Sequence, residues 1–310
     1  MIKLLDSPSS MGRMVAPFVR QHRSLLKAWT MQSTRRFSST SSHRSFDLAN
    51  GVPLHYTQYG PQDAPSSVVL VHGAPGSHND FKYLAPLLVN ESLNVIAFDL
   101  PGNGRTSADA AGGTYGLTER AMANAVVEAL DGLQIQSSII LGHSFGGHTA
   151  MRIASTAPSA RGLALLTSVG LRPHNALRRS PLQFLGQYLQ QPSAMRSLIV
   201  LLNKWLYLYS FKFPKKTPTD DFTFALQRIG STNFQDIQSV VAQVAAKNLP
   251  TFLALAEDDA FIEPAIIHEL GQALPPGVRI EYPTGGHNIQ KTRVKELAPA
   301  LQEWIQQILH

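Results

Sequence analysis

Apolar runs of strand length and segments with helical spacing alternate along most of the chain. The apolar runs occur at residues 68–71, 94–99, 137–142, 162–167, 251–256 and 278–282. Apolar residues at helical spacing follow them at residues 81–88, 117–133, 150–154, 264–274 and 294–309. Runs without polar alternation are typical of strands covered on both faces, whereas residues 52–60 alternate like a strand with one exposed face. This order predicts an α/β fold in which a mostly parallel, twisted sheet has helices on both faces.

The alternation breaks once, after the strand predicted at residues 162–167. Residues 171–248 are too long for one crossover connection, and they contain several segments with helical spacing. We therefore predict that they form a helical cap inserted into a single α/β domain at residues 47–310, a size that one hydrophobic core can support. No internal repeat and no membrane-spanning segment is predicted, since Asn203 and Lys204 interrupt the longest apolar segment of the cap.

The first 46 residues differ from the rest of the chain in charge. They contain eight of the 27 Lys and Arg residues and a single acid, Asp6, which leaves 19 basic and 20 acidic residues in the remainder. A basic, Ser-rich and acid-poor segment of this kind is typical of a mitochondrial transit peptide. We expect residues 1–46 to be such a peptide and the protein to be mitochondrial. The alternative is a disordered basic tail on a cytoplasmic protein.

The formal net charge of +6 lies almost entirely in this N-terminal segment. A near-neutral body argues against a nucleic-acid partner, which would require Lys and Arg clustered on the folded domain. The chain has no cysteine, so disulfides, thiol nucleophiles and cysteine metal sites are excluded.

The sequence Gly142-His143-Ser144-Phe145-Gly146 follows one of the predicted strands and precedes a predicted helix. A strand, a sharp turn and a helix around G-x-S-x-G are the context of a nucleophile elbow. Glycine is needed two residues before and two residues after the serine, because a side chain there would collide across the turn. Ser144 is therefore a candidate nucleophile, and as a weak one it needs an adjacent base, an orienting carboxylate and oxyanion donors.

Two further motifs lie at the carboxyl ends of predicted strands, where open α/β sheets place their functional sites. They are H-G-A-P-G at residues 72–76 and D-L-P-G-N-G at residues 99–104. Together with the elbow, these motifs make residues 50–310 resemble α/β-hydrolase-fold proteins of the serine-nucleophile branch. In that superfamily the nucleophile, the acid and the histidine follow one another along the chain.

The resemblance implies roles for three side chains in this order. Ser144 is the nucleophile, and His287, in the loop after the last predicted strand, is its general base. The acid is expected after the penultimate strand, where Asp259 fits the superfamily's G-x-x-D spacing with alanine in place of the glycine. Asp258 remains a competitor for this role. Glu263 is expected only to begin the next helix.

The same resemblance assigns the oxyanion hole to two backbone N–H groups, those of Ala74 in the H-G-A-P loop and of Phe145 next to the nucleophile. His72 and His143 are expected to brace the loops that carry them. Asp99 is expected to shape the D-L-P-G-N-G turn, and we place none of these three side chains in the triad.

A serine at the elbow argues against two activities of the superfamily, because its epoxide hydrolases and haloalkane dehalogenases use an aspartate there. Acyl transfer to water remains. We therefore expect an esterase, thioesterase or lipase-like enzyme that cleaves a small-molecule acyl substrate through an acyl-enzyme, with no metal and no cofactor. The alternative is a non-catalytic ligand-binding protein on the same scaffold.

The predicted cap has an unusual composition. Between Leu171 and Thr219 it contains no acid, eight Lys and Arg residues, and many apolar and aromatic residues. An apolar surface bordered by cations suits a lid that touches an acyl chain or an anionic bilayer, so peripheral membrane contact through the cap is one interpretation. The other interpretation, which the sequence alone favours, is burial of the apolar residues against the sheet with lysines at the rim.

Overall fold

A computed structural model describes residues 19–20, 41–178 and 182–309, and the strands within these ranges form one sheet. The strands are β1 (Val19–Arg20), β2 (Ser41–Asp47), β3 (Pro53–Tyr59), β4 (Ser66–Val71), β5 (Leu93–Phe98), β6 (Ser138–His143), β7 (Ala160–Leu166), β8 (Thr251–Ala256) and β9 (Gly277–Tyr282). Their order across the sheet is β1-β9-β8-β7-β6-β4-β5-β3-β2. The pairs β2–β3 and β3–β5 are antiparallel, and the other pairs are parallel. This arrangement confirms the predicted α/β fold.

Helices cover both faces of the sheet. The described α-helices are α1 (Ala85–Leu88), α2 (Glu119–Gly132), α3 (Gly146–Thr156), α4 (Asn175–Arg178), α5 (Leu182–Gln187), α6 (Ala194–Tyr209), α7 (Thr219–Ser231), α8 (Phe234–Ala246), α9 (Pro264–Ala273), α10 (Ile289–Thr292) and α11 (Val294–Leu309). Helices α2, α3, α8 and α9 bury apolar side chains on one face of the sheet, and α1 and α11 do so on the other. Strands β6 and β8 are buried at every position, which explains why their sequences show no polar alternation.

Only part of the segment between β7 and β8 is a cap. Helix α7 packs against α5 and α6, and Leu189, Ile199 and Leu226 form a small core inside the cap. Helix α8 instead packs on α3, and its Val240 belongs to the main core of the domain. The cap therefore ends with α7 and not at residue 248, because the apolar face of α8 packs on helices α3 and α9 of the main domain.

The expected burial of the cap's apolar residues is correct for one face of α6 and wrong for the other. Ile199 and Tyr207 are buried, whereas Leu201 and Trp205 are 65% and 58% exposed. Helix α6 is apolar at most positions around its circumference, so helical spacing could not show which face would be covered.

Strand β2 lies within the segment predicted to be a transit peptide or tail. It pairs along its whole length with β3, so the folded domain includes residues 41–46 and does not begin at residue 47. Its polar sequence gave no strand signal because β2 is an exposed edge strand. Val19–Arg20 pairs with β9, and the rest of the predicted transit peptide lies outside the described residues. In the ranges that the structure describes, no helix is long and apolar enough to span a membrane.

Candidate active site

Ser144 lies on the turn between β6, which ends at His143, and α3, which begins at Gly146. Its φ of 54° is in the left-handed region that non-glycine residues rarely adopt. A Cβ on Gly142 would lie 2.7 Å from the carbonyl oxygen of Gly146, and a Cβ on Gly146 would collide with the carbonyl oxygen of Val71. Both glycines of the G-x-S-x-G motif are therefore sterically required, and the turn has the geometry of a nucleophile elbow.

His287 and Asp259 lie next to this turn. The Nε2 atom of His287 is 2.8 Å from Oγ of Ser144, and its Nδ1 atom is 2.8 Å from Oδ2 of Asp259. In the neutral tautomer whose Nδ1–H donates to the carboxylate, Nε2 carries no proton and can accept the hydroxyl proton. The Asp259 side chain is 1% exposed, so water does not screen this contact. The structure thus brings the three predicted side chains into one hydrogen-bonded chain.

The two neighbouring aspartates make different contacts. Oδ1 of Asp259 accepts the backbone N–H of Phe261 at 2.8 Å, while its other oxygen contacts His287. Oδ1 of Asp258 accepts the backbone N–H of Gly286 at 2.7 Å. Asp258 therefore holds the loop that carries the histidine, and Asp259 is the carboxylate that contacts the imidazole.

Glu263 serves the cap and not the imidazole. Its carboxylate accepts hydrogen bonds from the guanidinium of Arg172 at 3.3 Å and from the backbone N–H of Asn175 at 2.9 Å. Arg172 also contacts both carboxylate oxygens of Glu269 on α9, with its shortest distance at 2.7 Å. These ion pairs fasten the start of the cap to α9.

The main chain of His287 is held by two side chains. Oγ1 of Thr167 donates to the His287 carbonyl oxygen at 2.8 Å, and Nε2 of His143 contacts the same oxygen at 2.9 Å. Burial lowers the pKa of His143 to about 4, so its ring is neutral near pH 7 and Nε2–H is the donor. His143 therefore braces the loop of the candidate base.

The H-G-A-P loop approaches the elbow closely. A Cβ on Gly73 would lie 3.1 Å from Cβ of Ser144, so the H-G-A-P loop or the elbow would have to shift slightly to make room for it. The carbonyl oxygen of Gly73 is 2.8 Å from Nδ1 of His72, and Nε2 of the same ring accepts the N–H of Leu100 at 3.0 Å. This second bond assigns the tautomer, so Nδ1–H donates to Gly73. Burial lowers the pKa of His72 to about 4, which keeps the ring neutral.

A fully buried arginine of the cap, Arg228 on α7, reaches the same loop. Its Nη1 donates to the carbonyl oxygen of Gly73 at 3.0 Å, and its Nη2 is 3.4 Å from the carbonyl oxygen of Phe145. The carboxylate of Glu119 lies 3.7 Å from Nη2 and is shared with His148 at 3.3 Å. The guanidinium therefore joins the two chain segments that carry the predicted oxyanion donors.

No sequence motif predicts a role for Arg228. Its one local signal is its position within residues 222–230, a mostly apolar segment in which an unpaired charge would be costly to bury. Burial lowers the pKa of Arg228, and the carboxylate of Glu119 opposes that shift. The partners of the guanidinium lie far away along the chain, so no motif connects them.

Asp99 shapes its own turn, as the resemblance implies. Its Oδ1 accepts hydrogen bonds from the backbone N–H and the Nδ1 of His78, both at 2.8 Å, and its Oδ2 accepts the N–H of Arg105 at 3.2 Å. Burial acts to raise the pKa of Asp99, but the hydrogen bonds from His78 outweigh it and lower that pKa. The Asp99 carboxylate thus orders the D-L-P-G-N-G loop beside the site.

A phenylalanine borders the imidazole of His287, and a second phenylalanine packs against the first. The ring of Phe261 lies 5.1 Å from the His287 ring, and the ring of Phe211, just after α6, lies 6.0 Å from Phe261. Both phenylalanines are partly exposed, so they form an apolar approach from the cap surface to the candidate site. Within the part of the chain that the structure describes, no three His, Cys, Asp or Glu side chains are placed to hold a metal ion.

Comparisons with known proteins give the family. Residues 55–275 match the family described as "Alpha/beta hydrolase of unknown function (DUF1057)". The chain belongs to this α/β-hydrolase family. This α/β hydrolase is 25% identical to the uncharacterized hydrolase YugF of Bacillus subtilis over 267 residues, which are 83% of this chain and 95% of that protein.

Two further proteins resemble this chain, one over about a third of its length and the other over most of it. The α/β hydrolase is 25% identical to the uncharacterized protein F35H12.5 of Caenorhabditis elegans over 118 residues, 36% of this chain and 33% of that protein. Haloalkane dehalogenase DbeA from Bradyrhizobium elkani USDA94 superposes with a TM-score of 0.69 and 19% identity, over 87% of this chain and 99% of that structure. The likeness to the dehalogenase is one of fold, and this α/β hydrolase has Ser144 at its elbow.

Proposed function

We propose that this α/β hydrolase is a serine hydrolase that cleaves a carboxylester or thioester of a small-molecule acyl substrate through an acyl-enzyme. The observation that carries the proposal is the hydrogen-bonded chain of Ser144, His287 and Asp259, with 2.8 Å at each link. An unprotonated Nε2 within hydrogen-bond distance of a hydroxyl is the arrangement that a general base needs.

In the first half-reaction, Oγ of Ser144 attacks the substrate carbonyl carbon while Nε2 of His287 takes the hydroxyl proton. The carbonyl oxygen becomes the oxyanion of a tetrahedral intermediate. Asp259 accepts the hydrogen bond of Nδ1–H and stabilises the imidazolium. The intermediate collapses when His287 gives the proton to the departing alkoxide or thiolate, and the acyl group remains on Oγ as an ester.

In the second half-reaction, water takes the place of the departed alcohol or thiol. Its oxygen attacks the acyl carbon while Nε2 of His287 takes one of its protons. Collapse of this second tetrahedral intermediate breaks the bond to Oγ, and His287 returns the proton to Ser144. The products are a carboxylic acid and the free enzyme, so the reaction requires no group beyond the chain and water.

The oxyanion is stabilised by the N–H groups of Phe145 and Ala74. Phe145 directly precedes α3, where the first N–H groups have no acceptor within the helix and the helix dipole favours negative charge. The N–H of Ala74 belongs to the peptide group whose carbonyl oxygen, on Gly73, accepts hydrogen bonds from Arg228 and His72. These bonds orient the peptide and polarise its N–H toward the oxyanion.

A panel of soluble esters with graded acyl chains, together with a thioester and an aminoacyl amide, tests the proposal. The wild-type protein is expected to turn over at least one ester or thioester, and Ser144→Ala is expected to be folded and inactive. The matched control is Ser92→Ala, which removes an exposed hydroxyl from a surface turn and is expected to keep wild-type turnover.

Turnover by Ser144→Ala would contradict the proposal. Tight binding of an acyl ligand by the wild-type protein, without product, would favour the alternative of a non-catalytic ligand-binding protein.

A further inference from the structure

Helix α6 of the cap has an apolar stripe that no described part of the chain covers. We call this stripe the outer face of α6, and its residues are 50% to 65% exposed: Met195, Leu198, Leu201, Leu202, Trp205 and Tyr209. Single exposed apolar residues are ordinary on a protein surface, but a continuous row of them along one helix marks an interaction surface.

The opposite face of α6 is firmly packed. Tyr207 stacks on Phe222 of α7 with 4.7 Å between the ring centroids and 16° between the ring planes, and Ile199 is 3% exposed. The nearby Asn203 donates a hydrogen bond to the carbonyl oxygen of Phe222 at 2.7 Å. These contacts fix the rotation of α6 about its axis, so its outer face points away from the rest of the domain.

Several lysines lie on α6 and in the segment that follows it. Lys212, Lys215 and Lys216 follow the end of α6 and are exposed, and Lys204 lies on the helix itself. No acid occurs between Leu171 and Thr219. An apolar stripe with cations beside it is complementary to a surface that is apolar inside and anionic outside.

We propose that the outer face of α6 docks on an anionic phospholipid bilayer. The helix would lie in the plane of the interface, with its leucines at the boundary of headgroups and acyl chains and the lysines at the phosphates. Trp205 and Tyr209, whose rings lie 5.7 Å apart, suit this boundary because each combines an apolar body with a polar group. A second copy of the chain fits less well, because pairing two outer faces would bring two sets of lysines together without an acid between them.

The outer face continues toward the candidate active site. Beyond Tyr209 at its end, Phe211 contacts Phe261, which in turn contacts the ring of His287. Docking would therefore bring the mouth of the site to the bilayer surface. That consequence rests on the proposed function, whereas docking itself does not.

Vesicle sedimentation of the full chain tests the docking. The vesicles consist of phosphatidylcholine alone or of phosphatidylcholine with phosphatidylserine. Wild-type protein is expected to bind the anionic vesicles more strongly and to lose affinity at high salt. Leu201→Glu/Trp205→Glu is expected to lower the partition coefficient at least about tenfold, and replacement of Lys212, Lys215 and Lys216 by glutamine to lower it by a similar factor.

Two controls separate this result from other causes. Leu87→Glu replaces a leucine on α1 that is 45% exposed and lies outside the cap, and it is expected to bind like the wild type. Ser144→Ala is also expected to bind like the wild type, so a failure of the proposed chemistry would leave the docking result intact. Circular dichroism shows that each variant is folded.

Three outcomes would overturn the docking proposal. The first is absence of wild-type binding to anionic vesicles. The second is undiminished binding by Leu201→Glu/Trp205→Glu, which would assign the membrane contact to another basic segment of the chain. The third is a dimer in light scattering that this double variant abolishes, which would make the outer face a contact between copies.

Discussion

The guanidinium of Arg228 donates a hydrogen bond to the carbonyl oxygen of Gly73, with 3.0 Å between Nη1 and that oxygen. The same peptide group carries the N–H of Ala74, the proposed oxyanion donor. The guanidinium on the cap helix therefore polarises this N–H through the carbonyl oxygen of the same peptide group. Arg228 is fully buried, and water therefore screens this interaction little. Arg228 therefore connects the cap directly to the backbone of the candidate active site.

Arg228→Lys tests this relationship. Lysine keeps the positive charge beside Glu119 but lacks the planar group that donates to two chain segments at once. We expect kcat on a soluble ester to fall roughly tenfold to hundredfold with a smaller change in KM, because the affected N–H acts mainly in the transition state. Steady-state kinetics measure both constants.

Arg161→Lys is the control, since this arginine is exposed and, among the described residues, its side chain donates to backbone carbonyls alone. It is expected to leave kcat unchanged. A folded Arg228→Lys protein with the kcat of the wild type would show that Arg228 only supports packing.

The neighbouring carboxylates can be separated by Asp259→Asn and Asp258→Asn. Asparagine at 259 can donate to Nδ1 and so favours the wrong tautomer of His287, and we expect kcat to fall roughly 10⁴-fold. Asparagine at 258 still offers an oxygen to the N–H of Gly286, so we expect a loss of about tenfold or less. Equal losses in the two variants would refute the distinction.

The free energy of unfolding should decrease as the pH falls below neutrality. Burial lowers the pKa of His72 and of His143 to about 4, from an ordinary value of 6.5. Between pH 6.5 and 4 the unfolded chain binds protons that the folded chain excludes, so stability is full above this window and is lost as the pH falls through it. Each histidine can contribute up to about 3 kcal/mol to this loss.

Urea denaturation at several pH values measures this effect. His143→Gln keeps a side-chain N–H for the carbonyl oxygen of His287 but does not titrate, and its stability should depend less steeply on pH in this window. The same slope in His143→Gln and in the wild type would mean that the His143 ring titrates normally in the folded protein.

The proposed transit peptide should be cleaved before Ser41. Strand β2 begins there and pairs along its whole length with β3, so cleavage within Ser41–Asp47 would cut a seven-residue strand, whereas cleavage before Ser41 removes β1, which pairs with β9 at two residues. We expect residues 1–40 to direct a fluorescent reporter to mitochondria. N-terminal sequencing of the processed protein should give a first residue at or before Ser41. A first residue beyond Ser41, or a reporter that stays in the cytoplasm, would argue against this proposal.

The parts of the fold that sequence predicted well are those with strong local constraints. Strands β6 and β8 are buried on both faces, and their continuous apolar runs follow from that burial. The elbow is also local, since Gly142 and Gly146 are required by atoms within or next to the turn. The positions of His287 and Asp259 followed from the resemblance, because each lies in the loop after a strand that could be recognised.

The features that sequence missed depend on distant contacts. The partners of Arg228 come from α2, the elbow and the H-G-A-P loop, which only folding brings together. Helix α6 is apolar on both its inner and its outer face, so its pattern could not distinguish the packed face from the exposed one. Strand β2 had no apolar pattern because its side chains are mostly exposed.

Covalent labelling of Ser144 tests the proposed mechanism most directly. The full chain is treated with a fluorophosphonate and digested, and the modified residue is located by mass spectrometry. The proposed mechanism predicts a single modified residue, Ser144, with labelling abolished in Ser144→Ala and slowed strongly in His287→Ala. A folded wild-type protein that hydrolyses an ester while Ser144 stays unmodified, or whose label lies on another residue, would contradict it.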